Sequence, residues 1–289
     1  MTELTLKDAF ARLPVRRDES NKGDYGTLLA LVGSRYYRGA AQLCSLGALR
    51  TGLGILRVAS TERVISALAC TVPEAVYLPL EEGDEGEVCG FKAEPYFRAF
   101  ARTSAILCGC GLTTCGDVPS MVKDIIAFSP VPIILDADGL NSLNGDTAPL
   151  NNAKSDIIIT PHIGEFARLT GKSVDYIKEN AGNVALEFAR DHSLTLVLKS
   201  DNTLIASPKE IYISRFGNSG LARGGSGDIL AGMIASFTAQ GLKPLDAAIC
   251  GTVLHGASAD RTAKRLSKTG MLPHDILTDL CEILREEGK

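Results

Sequence analysis

Six short runs of the chain are apolar at nearly every position and are bounded by Gly, Asp or Ser: Thr27–Gly33, Ile55–Ala59, Ala105–Gly109, Val131–Ala137, Asp156–Thr160 and Leu194–Lys199. A strand with one wet face alternates apolar and polar residues, whereas a strand covered on both faces is apolar throughout. The runs therefore predict buried parallel strands. Between them, Ala40–Thr51, Val118–Ala127 and Tyr176–Asp191 place apolar residues at helical spacing and predict crossover helices. The rhythm breaks at Thr203–Ser214, where TLIASPKEIYIS leaves no room for a crossover helix and predicts a hairpin at the sheet edge. Beyond it, Asp228–Gln240, Leu245–Leu266 and Asp275–Glu287 predict three helices. The expected fold class is α/β, a central mainly parallel sheet flanked by helices on both faces, with an edge hairpin. No linker, low-complexity tract or repeat interrupts the pattern, so residues 1–289 are expected to form a single domain. The acidic Gly83–Glu87 stretch reads as a solvated turn.

Composition narrows the classes of function. With 289 residues, 45% hydrophobic and 22% charged, the chain can bury a full core. Its net charge of −4 comes from Lys, Arg, Asp and Glu mixed along the sequence, with no basic stripe to neutralise phosphates, so nucleic acid is not expected as a partner. No apolar run is long enough to span a bilayer, and Met1–Phe10 lacks the layout of a signal peptide, so the expectation is a cytoplasmic protein with no membrane partner. Cys108, Cys110 and Cys115 lie close together but have no second paired cluster and no histidine at ligand spacing, so no metal ligands are assigned. Cys44, Cys70, Cys89, Cys250 and Cys281 read as small buried hydrophobes.

The most informative stretch is GNSGLARGGSGDILAGMIASF, Gly217–Phe237. Gly224, Gly225 and Gly227 feed a helix-length apolar run that begins at or near Asp228. Such a turn aims unpaired N–H groups outward, where the helix dipole also favours an anion, so a phosphate fits. The spacing matches neither the GxxxxGKS/T loop nor GxGxxG, which argues against a Walker-type ATPase and a plain dinucleotide oxidoreductase. Asp228 reads either as a helix cap or as a general base. Beside a phosphate a like charge weakens binding and becomes useful when it accepts the proton of an attacking hydroxyl, which favours the base.

Three other strand ends support the same picture. Gly109 and Gly111 in GCGL allow a ligand near the backbone. His162 in TPHIGE follows Pro161, which stops a strand, and is either a ligand contact or a residue bonded within its own turn. DADGLN, Asp136–Asn141, offers two carboxylates and an amide suited to magnesium-bound water or phosphate positioning, and equally to a capped turn. The residues together predict an enzyme that spends a nucleotide phosphoryl group on a small hydroxylated substrate.

NKGDYGTLLALVGS, RGAAQLCSLGALRTGLG, LDADGLN, ITPHIGEFARLTG, LKSDNT and GNSGLARGGSGDILAGM follow one another in the order, and at roughly the distances, of a known family. Along nearly its whole length the chain resembles the ADP- or ATP-dependent NAD(P)H-hydrate dehydratases, which have a ribokinase-like fold. The resemblance implies repair of the S epimer of hydrated NADH or NADPH. The ring hydroxyl is phosphorylated by ADP (or ATP), with Mg2+ accompanying the nucleotide, and phosphate is then eliminated. It implies that Asp228 is the base and that backbone N–H groups of Gly225, Ser226 and Gly227 form the anion hole. Ala40, Gly111, His162 and Asp228 match positions that contact the hydrated cofactor. Lys199, Ser200, Asp201, Asn202, Thr203 and Gly227 match the AMP site. Ser200 stands where the family usually has glycine, and GPG appears as GCG. A homotetramer is implied. Many relatives carry an epimerase domain ahead of this one, and the chain begins too close to Asn21-Lys22-Gly23 to include it, so a separate epimerase is expected. The rival readings are a ribokinase-like kinase for a vitamin-precursor alcohol, which would leave the phosphate on its product, and a nucleotide-sensing protein without turnover.

Overall fold

The structure, a computed structural model, describes residues 1–99 and 102–289. Its strands are β1 (Thr2–Glu3), β2 (Thr27–Leu31), β3 (Ile55–Thr61), β4 (Val76–Glu82), β5 (Val88–Cys89), β6 (Ala105–Cys108), β7 (Ile133–Leu135), β8 (Ile157–Ile159), β9 (Thr195–Leu198), β10 (Thr203–Ala206) and β11 (Ile211–Ser214). They form one sheet in the order β1-β11-β10-β9-β8-β7-β6-β2-β3-β4-β5. The seven strands from β9 to β4 run parallel, while β10, β11 and β5 each pair antiparallel to a neighbour.

Side chains alternate between the two faces of this sheet, and both faces are covered, which is why the central strands are apolar at nearly every position. Leu28, Ala30, Leu107, Ile134, Ile158, Val197 and Ile205 join one core, and Leu29, Leu31, Ile106, Leu135, Ile159, Leu196 and Leu204 the other. On the first face lie α1 (Leu6–Phe10), α2 (Arg38–Arg50) and α3 (Glu62–Leu68). The second carries α4 (Ala93–Ala99), α5 (Val118–Phe128), α6 (Asp138–Asn141), α7 (Ala148–Asn151), α8 (Ile163–Thr170) and α9 (Val174–Asp191). The three C-terminal helices α10 (Ser226–Ala239), α11 (Pro244–Leu266) and α12 (Ile276–Glu286) complete the first face.

Helix α10 is buried along nearly its whole length and packs hard against α2. A Cβ at Gly232 would stand 2.0 Å from the Cys44 carbonyl oxygen, so the helices reach this separation only because the side chain is missing. That contact fixes the height of α10 over the sheet, and with it the position of its first turn above the strand ends.

Several expectations need correction. The hairpin β10–β11 forms where it was expected, but β1 adds a parallel pair outside β11, so the hairpin lies one strand in from the edge. Strand β4, next to the edge strand β5, contains Pro79 and mixes exposed with half-buried residues, so no apolar run marks it in the sequence. The acidic stretch is the β4–β5 turn, closed by Gly83 N–H to the Glu87 carbonyl at 2.9 Å, and it is solvated only in part. Glu87 is buried, its Oε2 has no hydrogen-bond partner, and it fills the space beside Gly83 and Gly116. Of the five scattered cysteines, Cys44 and Cys250 are buried, Cys89 and Cys281 are half-buried, and Cys70 is exposed just beyond the end of α3. Among the described residues no helix is long and apolar enough to cross a membrane.

Candidate active site

Four adjacent parallel strands, β6, β7, β8 and β9, end side by side, and the residues that follow them carry the polar groups: Gly109-Cys110-Gly111, Asp136-Ala137-Asp138, Thr160-Pro161-His162 and Lys199-Ser200. The start of α10 faces this row, forming a cleft of about 770 Å³ lined by His162, Lys199, Gly225, Ser226, Gly227 and Asp228 among others.

Of the three glycines in the turn into α10, only Gly225 takes a conformation closed to other residues; Gly224 and Gly227 do not. Gly225 is the N-cap at φ 100°, a left-handed conformation, and no side chain caps the helix. Gly224 has a negative φ and open space around it. The helix begins at Ser226, so Asp228 lies within the first turn and the reading of Asp228 as a cap is excluded. The Ser226 amide makes a long 3.4 Å bond to the Arg223 carbonyl. The Gly227 and Asp228 amides have no partner among the described residues, so Asp228 adds a backbone donor that the sequence reading did not assign.

Opposite this turn stands a buried ion pair. Asp136 Oδ1 accepts from Lys199 Nζ at 2.7 Å and from Thr160 Oγ1 at 2.7 Å, and Asp136 Oδ2 accepts from Cys110 Sγ at 3.7 Å. Glu165 lies on the far side of Lys199, 4.0 Å away. Burial disfavours the Lys199 charge, but the Asp136 and Glu165 carboxylates outweigh it and hold its pKa above the ordinary value. Lys199 Nζ comes within 3.2 Å of where a Gly227 Cβ would be, so the ammonium and the free amides border the same space. An anion there meets a fixed cation and a helix start together.

Asp228 sits where its charge is opposed. Burial is the main cause, and repulsion from Asp136 adds to it; the Cys110 thiol and Lys199 pull the other way, leaving the pKa raised to about 6. A carboxylate tuned this way is largely ionised near neutrality yet holds a proton well, which suits a general base.

His162 is bonded within its own turn and is also exposed to the cleft. It caps α8, with Nδ1 accepting from the Gly164 and Glu165 amides at 2.9 and 3.2 Å, and it also lines the cleft. Ala40 and Gly111 lie outside the cleft lining but against each other, a Gly111 Cβ falling 2.9 Å from Ala40 Cβ. In the loop after β9, Ser200, Asp201 and Thr203 line the cleft, whereas Asn202 turns to Arg215, accepting from it at 2.9 Å. Ser200 is not left-handed, so a serine fits where the family favours glycine; its hydroxyl closes its own turn, donating to the Asn202 carbonyl at 2.8 Å.

Asp138 is committed to the loop, accepting from the Thr113 amide at 2.8 Å and from Asn141 Nδ2 at 3.3 Å. Between the two acids Ala137 adopts φ 46°, ψ −114°, a strained conformation that lets consecutive carboxylates face different neighbours. Cys110, Asp136 and Asp228 place three ligand-type atoms within 4.8 Å of one another. A cation among them would stand against the Lys199 ammonium and beside a thiol, a poor donor for Mg2+, so they are not assigned as metal ligands.

The sequence reading missed Glu165 as a partner of Lys199, and it missed His255 and Thr252, which come from α11 to the floor of the cleft. His255 is buried, which pushes its pKa down to about 4 and keeps it neutral. Within an apolar helix pattern neither residue carries a signal of its own.

A parallel sheet whose strand ends carry a lysine clamp, facing a glycine turn and a buried first-turn carboxylate, defines a ribokinase-like α/β protein. A family model described as NAD(P)H-hydrate dehydratase matches residues 28–282, and the chain belongs to the NAD(P)H-hydrate dehydratase family. The ADP-dependent (S)-NAD(P)H-hydrate dehydratase of Bacillus subtilis is 36% identical over 273 residues, 94% of each chain. A crystal structure of the ADP/ATP-dependent NAD(P)H-hydrate dehydratase from Bacillus subtilis, co-crystallised with ATP/Mg2+, matches with TM-score 0.84 and 33% identity, covering 99% of this chain and 98% of that one. The bifunctional NAD(P)H-hydrate repair enzyme of Moorella thermoacetica is 36% identical over 283 residues, 98% of this chain but 53% of its own length. The chain thus spans about half the length of the bifunctional relatives it matches.

Proposed function

We propose that the chain is an ADP-dependent (S)-NAD(P)H-hydrate dehydratase, a hydro-lyase that restores NADH or NADPH from the hydrated cofactor. The observation that carries this is the raised carboxylate of Asp228 beside the unpartnered amides of its own helix start. Asp228 takes the proton of the ring hydroxyl as that oxygen attacks the terminal phosphorus of ADP. The amides of the Gly225–Asp228 turn and the Lys199 ammonium hold the charge that develops on the transferring group. Phosphate leaves far more readily than hydroxide, so the ring nitrogen lone pair expels it and the double bond returns, giving AMP, phosphate and NAD(P)H.

The binding roles are proposed from the family resemblance. Ala40, Gly111, His162 and Asp228 receive the hydrated ring, while Lys199, Ser200, Asp201, Thr203 and Gly227 border the AMP moiety. Asn202 supports that loop through Arg215. Mg2+ would supply charge neutralisation on the nucleotide phosphates; Asp136 and Asp138, already hydrogen-bonded to Lys199 and to the Thr113 amide, are not assigned to hold it. We further propose a cytoplasmic homotetramer acting together with an epimerase activity that supplies the S epimer, in keeping with the family resemblance.

Purified protein mixed with NADH hydrate, ADP and magnesium is expected to regenerate reduced-nicotinamide absorbance and to release phosphate in equal amounts. A phosphorylated product that persists would instead favour the kinase reading, and ADP binding without phosphate release would favour the sensor.

A further inference from the structure

Cys110 lies buried against the two carboxylates Asp136 and Asp228, yet the reaction above gives it no role. It is fully buried, and its Sγ is hydrogen-bonded to Asp136 Oδ2 at 3.7 Å while lying within 4.8 Å of the Asp228 carboxylate. The other Asp136 oxygen is held by Lys199 and Thr160. Two carboxylates this close repel when both are ionised, and the thiol is the group placed to give a hydrogen to either. A thiol has one hydrogen and is a weak donor, so it can favour one carboxylate at a time.

We propose that Cys110 is a positioning residue for the proton transfer, its S–H hydrogen bond moving to Asp228 when that carboxylate is ionised and back to Asp136 once Asp228 has taken the substrate proton. No proton passes through sulfur: the hydroxyl proton goes to Asp228, and the thiol keeps its own. Contact with Cys44, burial and the two carboxylates hold the Cys110 thiol well above its ordinary 9.0, so it remains a donor throughout the neutral range. The charged groups facing Asp228 are Asp136 and Asp138 beyond β7, and Lys199 beyond β9 with Glu165 of α8 behind it. Cys44 of α2 faces the thiol, and His255 of α11 is neutral. Among these, Cys110 and Lys199 alone favour the Asp228 anion, and Lys199 is already paired with Asp136. The proposal rests on Asp228 being the base.

Cys110→Ala and Cys110→Ser separate this role from mere packing. Two midpoints are read: the acid limb of kcat/KM, and the 13C titration of the Asp228 carboxyl in ligand-free protein, assigned by its loss in Asp228→Asn. Alanine removes the donor and is expected to move both midpoints to higher pH by roughly 0.5–1 unit, the size of one hydrogen bond. Serine, a stronger donor of similar size, is expected to return both to the wild-type value or below. Cys110→Val, apolar and donor-free, stands in if the alanine variant does not fold and should shift both midpoints upward as well. Midpoints that stay in place in the alanine or valine protein, or a serine protein that moves with them, would overturn the proposal even if kcat falls. The carboxyl titration needs no turnover, so a wild-type protein that titrates as expected but repairs no hydrate would defeat the dehydratase reading and leave the thiol contact standing.

Discussion

Asp228, the proposed base, carries a cost to the fold. Burial and the neighbouring Asp136 raise its pKa from 3.8 to about 6, so the folded protein holds this proton more tightly than the unfolded chain does. The stabilising contribution is therefore complete below about 3.8 and is lost as pH rises through about 6. Two outcomes are expected. Activity falls as pH drops below about 6, because a protonated Asp228 cannot accept the hydroxyl proton, and a kcat/KM profile should show that limb. Asp228→Asn removes both the base and the penalty. Turnover should fall by ~10²–10⁴, while thermal unfolding at pH 8 should show a gain of roughly 1–3 kcal/mol that shrinks below pH 6. A variant that loses activity and stability together would place Asp228 among the structural residues.

At the scale of elements, the site depends on how α10 is held. A Gly232 Cβ would meet the Cys44 backbone oxygen at 2.0 Å, and backbone cannot rotate away as a side chain would. Gly232→Ala should therefore force α10 from α2, with a loss of about 3 kcal/mol in denaturant unfolding and reduced turnover, since Asp228 moves with the helix. Gly224→Ala meets no protein atom within 4 Å and should be tolerated in denaturant unfolding. Equal effects at the two positions would mean that helix contact does not set the site. The same elements show what could be read from the chain. Strands β2, β3 and β6 to β9 were legible because burial on both faces leaves uninterrupted apolar runs, whereas the half-exposed β4 and the two-residue β1 leave too little pattern. The α10 turn was legible because its geometry is local to a few glycines. The Asp136–Lys199 clamp, 63 residues apart, exists only once four strand ends stand side by side, and the shared place of Cys110 between two carboxylates is likewise a product of the sheet.

For the molecule as a whole, the cleft is a seam between the two helical layers: Lys199 and His162 follow strands of the sheet, Glu165 belongs to α8 on one face, and Gly225–Asp228 and His255 belong to α10 and α11 on the other. A nucleotide bound there links both layers and should stabilise the folded protein by about 2.7 kcal/mol at a hundredfold excess over its Kd. Two variants should separate the contributions by sign. Lys199→Met leaves Asp136 buried without its cation, so the ligand-free protein should melt at a lower temperature, and the increment added by ADP should shrink because the phosphates lose their fixed counter-charge. Asp228→Asn should melt higher without ligand and keep its ADP increment, or enlarge it, since a negative charge beside the phosphates is gone. Scanning both proteins with and without ADP and magnesium gives four melting temperatures. An ADP increment unchanged by Lys199→Met would mean that the phosphates bind away from the α10 turn, and the layout proposed for phosphoryl transfer would fail with it.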